Sequence, residues 1–317
     1  MPRPLPSYHG FYGQRLAVPY VSRRVAGARK SYRACCSFLL TAPSGMGKTR
    51  LARAIHKDYG DTAFVEVIAN KALTPSKLEK ILGQLDFGDF LFIDEGHALS
   101  PDCQELLYGA LDEQKIHSRL QPGRVVSVAE FTLIAATDKP GMLRRAFLNR
   151  LAEVFLSAYS IAELKKIAEV IAEDAGHEIT PQAARRIAEC SQGTPRGVKK
   201  LMHTLRDLHA DSPGGRWSQP HVEDVIEAEG FDDHGLTRMQ QDYLLILLET
   251  PRGACSLDVL AISLGDRTFL RREIEPHLIL LGLVDPRTTH GRGLTERGRR
   301  VATEIRRNRT EADPNEE

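Results

Sequence analysis

Acidic side chains are missing from the start of this chain. No Asp or Glu precedes Asp58, whereas Arg3, Arg15, Arg23, Arg24, Arg29, Lys30 and Arg33 do. An acid-free, arginine-rich start can be a solvated basic face, a phosphate-contacting surface or a transit peptide. Residues 8–14 read as part of a folded domain, which sets the transit peptide aside. Cysteine is sparse: Cys35, Cys36, Cys103, Cys190 and Cys255 are odd in number and form no C-x-x-C pair. That argues against a disulfide framework and for reduced, mostly buried thiols in a cytoplasmic protein. No apolar run reaches membrane-spanning length and no secretory core opens the chain, so no membrane partner is expected. Excess charge is lacking too, with a net charge of +1, so composition does not announce nucleic acid. What the chain has is length: 317 residues leave room for about two or three domains.

The most informative stretch is Thr41-Ala42-Pro43-Ser44-Gly45-Met46-Gly47-Lys48-Thr49. It follows the apolar Ser37-Phe38-Leu39-Leu40 and precedes the helical pattern Leu51-Ala52-Arg53-Ala54-Ile55. Strand, glycine turn, Lys-Thr and helix form the P-loop arrangement that cradles phosphates. Gly45, Met46, Gly47, Lys48, Thr49 and Arg50 are the candidate nucleotide contacts. Lys48 reaches toward β- and γ-phosphates, and Thr49 is placed to hold Mg²⁺. The pattern asks for glycine where this chain has Ala42, which matters only if that position needs a positive φ.

Strand-like apolar runs at 35–41, 63–68, 90–93, 131–136 and 151–156 alternate with helical patterns such as 74–85 and 101–112. Such alternation predicts an α/β fold with a parallel sheet covered on both faces, its ligand at the carboxyl ends of the strands. Asp89-Phe90-Leu91-Phe92-Ile93-Asp94-Glu95 has the Walker B form. Asp94 is the Mg²⁺ candidate and Glu95 the residue that polarises an attacking water; an acidic cap pair is the competing reading, and His97 behind them reads as a packing or cap residue. Thr137-Asp138 ends the next strand and is a candidate to orient the water. A carboxylate there costs Coulomb energy unless a cation offsets it, and a plain turn aspartate competes. Arg150, closing a helical segment at 142–149, is a candidate finger onto a neighbour's γ-phosphate, with Arg144 and Arg145 as rivals. Thr194-Pro195-Arg196 starts a helix and places Arg196 in its first turn, where it can aim at a phosphate.

Residues 160–230 read as helical throughout, broken by Ser-Pro-Gly-Gly at 212–215. Beyond them, helices at 236–248, 257–263 and 267–281 precede a hairpin at 287–295, the plan of a winged helix. Arg267, Arg271, Arg272, Arg287, His290 and Arg292, with Arg297, Arg299 and Arg300 beyond, can neutralise DNA phosphates. Arg287 and Arg292 are the chosen DNA contacts; a protein-binding winged helix is the alternative. The expected division is 1–157 for the P-loop domain, 158–232 for a helical lid, 233–307 for the winged helix and 308–317 for a disordered acidic tail.

Taken together, these segments resemble RuvB, the AAA+ motor family of Holliday-junction branch migration, over residues 3–305. Arg3-Pro4 and Phe11-Tyr12-Gly13-Gln14 resemble the family's approach to the nucleotide, which makes Tyr12 a nucleotide contact. Residues 91–97 are similar to its Walker B segment and 131–137 to its sensor 1 strand, with Asp138 at the sensor position. Asn149-Arg150 falls where the family carries its finger, Ser191-Gln192-Gly193-Thr194-Pro195-Arg196 where it carries sensor 2, and His290-Gly291-Arg292 in its wing. The resemblance implies an ATP- and Mg²⁺-dependent hydrolase, self-associated into a ring, with nucleotide between sheet domain and lid. Such a ring moves duplex or branched DNA in recombination or repair. The departures are Ala42, Asp138 and a segment at 114–130 shorter than the family's RuvA-docking hairpin, which puts a RuvA-like partner in doubt. An ATP-gated DNA-binding adaptor with weak or no hydrolysis is the alternative that Ala42 and Asp138 favour.

Overall fold

The computed structural model describes Tyr8 and residues 11–210, 215–251 and 253–312. The readings placed on Arg3-Pro4, on 212–214 and on 313–317 lie outside these residues. The chain forms two compact units, Met1–Ser157 and Ala158–Glu317.

The first unit runs α1 (Ala17–Lys30), β1 (Phe38–Thr41), α2 (Lys48–Tyr59), β2 (Phe64–Ile68), α3 (Pro75–Leu82), β3 (Phe90–Asp94), α4 (Pro101–Glu113), β4 (Lys115–His117), β5 (Val125–Ser127), β6 (Thr132–Thr137), α5 (Arg145–Leu148) and β7 (Ala152–Phe155). Five strands pair in the order β2-β3-β6-β1-β7, all parallel. The central strands are apolar on both faces, as a doubly covered parallel sheet requires: Phe38 to Leu40, Phe90 to Ile93 and Leu133 to Ala136 are inaccessible to solvent. Helix starts follow local chemistry. The Thr74 and Ser100 hydroxyls accept from Lys77 N and Cys103 N, each with proline just inside the helix. In α1, Val21, Val25 and Ala28 face inward at helical spacing, while Arg23, Arg24, Arg29 and Lys30 are exposed. The helix expected at 142–149 is corrected to four residues of α5 behind a tight turn at Pro140–Met142. The Arg144 N–H donates to the Gln104 side chain at 2.9 Å, so it is not free to extend a helix.

The second unit runs α6 (Ile161–Asp174), β8 (Glu178–Ile179), α7 (Pro181–Cys190), α8 (Pro195–Leu208), β9 (Arg216–Trp217), α9 (Gln219–Ala228), α10 (Arg238–Glu249), β10 (Ala254–Cys255), α11 (Leu257–Leu264), α12 (Arg267–Phe269), α13 (Glu275–Leu280), β11 (Val284–Thr288), β12 (Gly291–Leu294) and α14 (Glu296–Ala312). A wide π-type turn, Leu270–Ile274, joins α12 to α13; Pro276 has no N–H to give the preceding turn, which favours the wider winding. The hairpin β11–β12 gains a third strand, β10, in the order β10-β12-β11. Leu244, Leu247, Leu260, Leu270, Leu278 and Ala302 close one core beneath it. The disordered tail expected from 308 is corrected: α14 continues to Ala312. Val301, Ala302 and Ile305 bury one face of that helix, and Arg309 pairs with Asp242 at 2.6 Å.

Candidate nucleotide site

The order of the sheet assembles this site. β1 and β3 flank β6, so the segments leaving their carboxyl ends (42–49, 94–97 and 137–138) emerge side by side. In the first segment Gly45 has φ 79° and Gly47 φ 94°, conformations that L side chains resist. Gly47 caps α2, whose first turn carries no acid, so the amides of that turn face an anion's place. Ala42 has no positive φ; it is buried and its N–H donates to Thr137 O at 3.3 Å. A methyl group is therefore no obstacle there. Met46 is buried beneath the loop. The Lys48 ammonium donates to Ala42 O at 2.8 Å and Pro43 O at 3.1 Å, arching over the loop.

At the end of β3, Asp94 accepts from the Thr49 hydroxyl at 3.3 Å and from Glu95 N at 2.9 Å. Hydroxyl and carboxylate thus stand as neighbouring oxygen donors, the set a hard cation such as Mg²⁺ takes. Glu95 adopts φ 53°, ψ 38°; a non-glycine residue held there carries strain of about 1–3 kcal/mol. Its side chain is half-exposed. Behind it, His97 Nδ1 lies 3.3 Å from Thr137 Oγ1, 3.3 Å from Asp138 Oδ1 and 3.5 Å from Glu95 Oε2. His97, read as a packing or cap residue, is thus the residue that gathers this corner. Its signal in the sequence was the three-residue step from Asp94, unusable without knowing that β6 lies alongside.

The approach from the amino-terminal side is tied down by Gln14, whose amide donates to Ser157 O at 2.8 Å and accepts from Ser157 N at 2.9 Å. Arg50 stacks its guanidinium over the Phe11 ring, 5.4 Å from its centre, and Tyr12 follows on that segment. Arg150 lies against α4: Nε donates to Asp112 Oδ2 at 2.8 Å, and the guanidinium covers the Tyr108 ring at 4.8 Å. Its hydrogen bond to Asp112 pushes its pKa up from the usual arginine value. Asp112 went unnoticed in the sequence.

In the second unit, Arg196 is exposed in the first turn of α8, where the Thr194 hydroxyl accepts from Gly197 N at 3.0 Å. A side chain on Gly197 would collide with Ser191 O at 1.8 Å, so that sharp turn needs glycine. In the wing, Arg287 is exposed. Arg292 faces inward instead: its Nε donates to Glu275 Oε1 at 2.8 Å, and the Tyr243 hydroxyl donates to the same oxygen at 2.8 Å. Glu275 is 3 % exposed.

Three stretches of the chain match known domains: residues 3–156 match the Holliday junction DNA helicase RuvB P-loop domain, 159–228 the RuvB AAA lid domain, and 233–302 the RuvB C-terminal winged helix domain. The chain is 31% identical over 301 residues to the Holliday junction branch migration complex subunit RuvB of Campylobacter fetus subsp. fetus, covering 92% of this chain and 86% of that protein. The Kosmotoga olearia protein of the same name is 32% identical over 301 residues, with the same coverages. The solved Thermotoga maritima RuvB Holliday junction branch migration motor superposes with a TM-score of 0.75 at 30% identity, over 92% of this chain and 95% of that one.

Proposed function

This chain belongs to the RuvB family and is an ATP-driven DNA motor of recombination and repair, and from that premise we propose how its residues do the work and on what DNA. Thr49 and Asp94 would hold the Mg²⁺ that hydrolysis requires, and the ion would neutralise phosphate charge there. The neighbouring oxygens of those two side chains are the observation that supports this. The amides of Gly45 to Thr49 bind phosphate oxygens, and Lys48 exchanges its loop carbonyls for them. Glu95 orients and polarises the attacking water. Asp138, fixed by His97, sets the position of that corner. Arg150, partly exposed beside Asp112 of α4, is assigned to a neighbouring protomer's nucleotide by resemblance. Tyr12, Arg50 and Arg196 are assigned to the nucleotide by resemblance.

The substrate we propose is a Holliday junction, gripped through duplex phosphates at the wing, with Arg287 as the contact. The protomers work as a cytoplasmic ring, hexameric by resemblance, divided at about residues 157 and 232, as read from the sequence. The hairpin β4–β5 has strands of only three residues, which keeps a RuvA-type partner docked there in doubt. The relationships give nothing to the adaptor reading.

The test is steady-state ATP turnover with and without four-way junction DNA. Junction DNA is expected to stimulate the wild-type chain. Lys48→Ala, Glu95→Gln and Arg150→Ala should each lose roughly 10²-fold or more. Turnover that survives all three substitutions would refute the assignment.

A further inference from the structure

We propose that Glu95, His97 and Asp138 form a binding site for a divalent transition-metal ion of the zinc class. It is separate from the Mg²⁺ position at Thr49 and Asp94, and its occupation takes Glu95 out of use. Among the described residues this is the only group of three His, Cys, Asp or Glu side chains whose ligand atoms all lie within 4.8 Å of one another. Metal–ligand bonds of about 2.0–2.2 Å at tetrahedral angles set donor atoms roughly 3.3–3.6 Å apart. The His97 nitrogen stands 3.3 Å from the Asp138 oxygen and 3.5 Å from the Glu95 oxygen, so both imidazole–carboxylate pairs have the spacing of a ligand shell, and the two carboxylates lie within 4.8 Å of each other.

The way the cluster is built supports the same reading. Three oxygens, from Thr137, Asp138 and Glu95, converge on the single nitrogen Nδ1 of His97. One N–H points in one direction and serves one of them well. A cation at the centre serves both carboxylates at once, with Nδ1 as its lone-pair donor. Two of the ligands are sheltered, with side-chain exposures of 16% for His97 and 26% for Asp138, whereas Glu95 is 54% exposed. That leaves an open side for water as the remaining ligand. One imidazole and two carboxylates form a borderline donor set, suited to zinc-class ions, whereas Mg²⁺ prefers oxygen alone. The site is also an answer to a cost: with Asp94, three carboxylates crowd the ends of β3 and β6, and a bound cation offsets their repulsion.

Coordination would hold the Glu95 carboxylate on the ion and away from water. The motor then carries an inhibitory metal switch that depends on Asp138. Metal uptake does not rest on the ATPase reading; the inhibition does, so the two are measured separately.

The probe for uptake is Co²⁺ alone, titrated by visible absorption into the nucleotide-free full chain. One Co²⁺ per chain is expected, displaced by Zn²⁺. His97→Gln, Asp138→Asn and the isosteric, exposed Glu95→Gln should each weaken it about tenfold or more, while Asp94→Asn keeps it. Circular dichroism melting identifies any variant that misfolds, and the remaining two then decide. Absence of uptake, uptake unchanged in the folded ligand variants, or equal loss in Asp94→Asn would each overturn the site. For the switch, ATP turnover is compared with each variant's own zinc-free rate. Zn²⁺ at saturation should inhibit the wild type about tenfold or more and Asp138→Asn about twofold or less; equal inhibition would overturn it.

Discussion

Removing Arg292 should loosen the winged helix itself, beyond any effect on DNA. Glu275 is 3 % exposed, and its Oε1 accepts from Arg292 Nε and the Tyr243 hydroxyl, both at 2.8 Å. Deleting one partner of a buried ion pair costs about 3–5 kcal/mol, because the other charge is left uncompensated. Two observations lower that figure here. The Arg292 side chain is 22% exposed, so water can enter its place, and Tyr243 keeps its hydrogen bond. Arg292→Ala should therefore cost about 2–3 kcal/mol. The assay is amide hydrogen exchange of the full chain, reading α10 and α13, with α2 of the other unit as internal reference. The cost corresponds to roughly 30- to 150-fold faster exchange in α10 and α13. Adding Glu275→Gln removes the stranded charge and should restore about tenfold of that protection. If exchange stays within about twofold of wild type while duplex affinity falls, the reasoning is wrong and the guanidinium serves DNA.

Two further outcomes are expected. Burial lowers the His277 pKa from 6.5 to about 4. The unfolded chain therefore binds a proton between those values that the folded one refuses, and stability present above pH 6.5 is lost as pH falls toward 4. The loss is about 3 kcal/mol, and His277→Leu should flatten that slope in urea unfolding followed by far-ultraviolet circular dichroism; an unchanged slope refutes it. If Arg150 acts on a neighbour's nucleotide, equal mixtures of Glu95→Gln and Arg150→Ala chains should recover about a quarter of wild-type ATP turnover, since random neighbours rebuild about that share of interfaces. A mixture no better than the mean of its parts places the finger within its own chain.

Much of the scaffold was legible because it depends on local chemistry. All five parallel strands announced themselves as short apolar runs, two of them ending in Asp94 and Thr137, and the glycines at 45 and 47 stand where positive φ is needed. Helix ends were less legible. The start of α5 is decided by the Gln104 side chain, 40 residues away in sequence. The carboxyl-terminal helix was missed for a related reason. Arg297, Arg299 and Arg300 read as phosphate contacts and residues from 308 as a polar tail, whereas the burial of Val301, Ala302 and Ile305 against a distant core joins the two into one helix. In the candidate site the P-loop residues and Asp94 were readable one segment at a time. The engagement of Arg292 with Glu275, of Arg150 with Asp112, and of His97 with Asp138 was not, because each pairs segments that only the tertiary fold brings together.

Of the three departures from the family pattern, the two at the nucleotide site carry different weight. Ala42 changes nothing that the backbone requires: its φ is ordinary and its N–H is used by Thr137 O. Asp138 adds a charge, and its neighbour decides what that charge does. Thr137 accepts at its carbonyl from the phosphate loop, at 3.3 Å from Ala42 N, and its hydroxyl faces His97 Nδ1 at 3.3 Å and accepts from Lys139 N at 3.0 Å. One residue on the strand between β1 and β3 therefore touches both the loop that grips phosphate and the imidazole beside Glu95. The loop is linked to Glu95 through three contacts, Ala42 to Thr137, Thr137 to His97 and His97 to Glu95, and Asp138 hangs from the same strand end. Its Oδ1 lies 3.3 Å from His97 Nδ1, which lies 3.5 Å from Glu95 Oε2. This chain thus keeps the family's scaffold while setting, through one side chain, a further carboxylate against the imidazole that contacts Glu95.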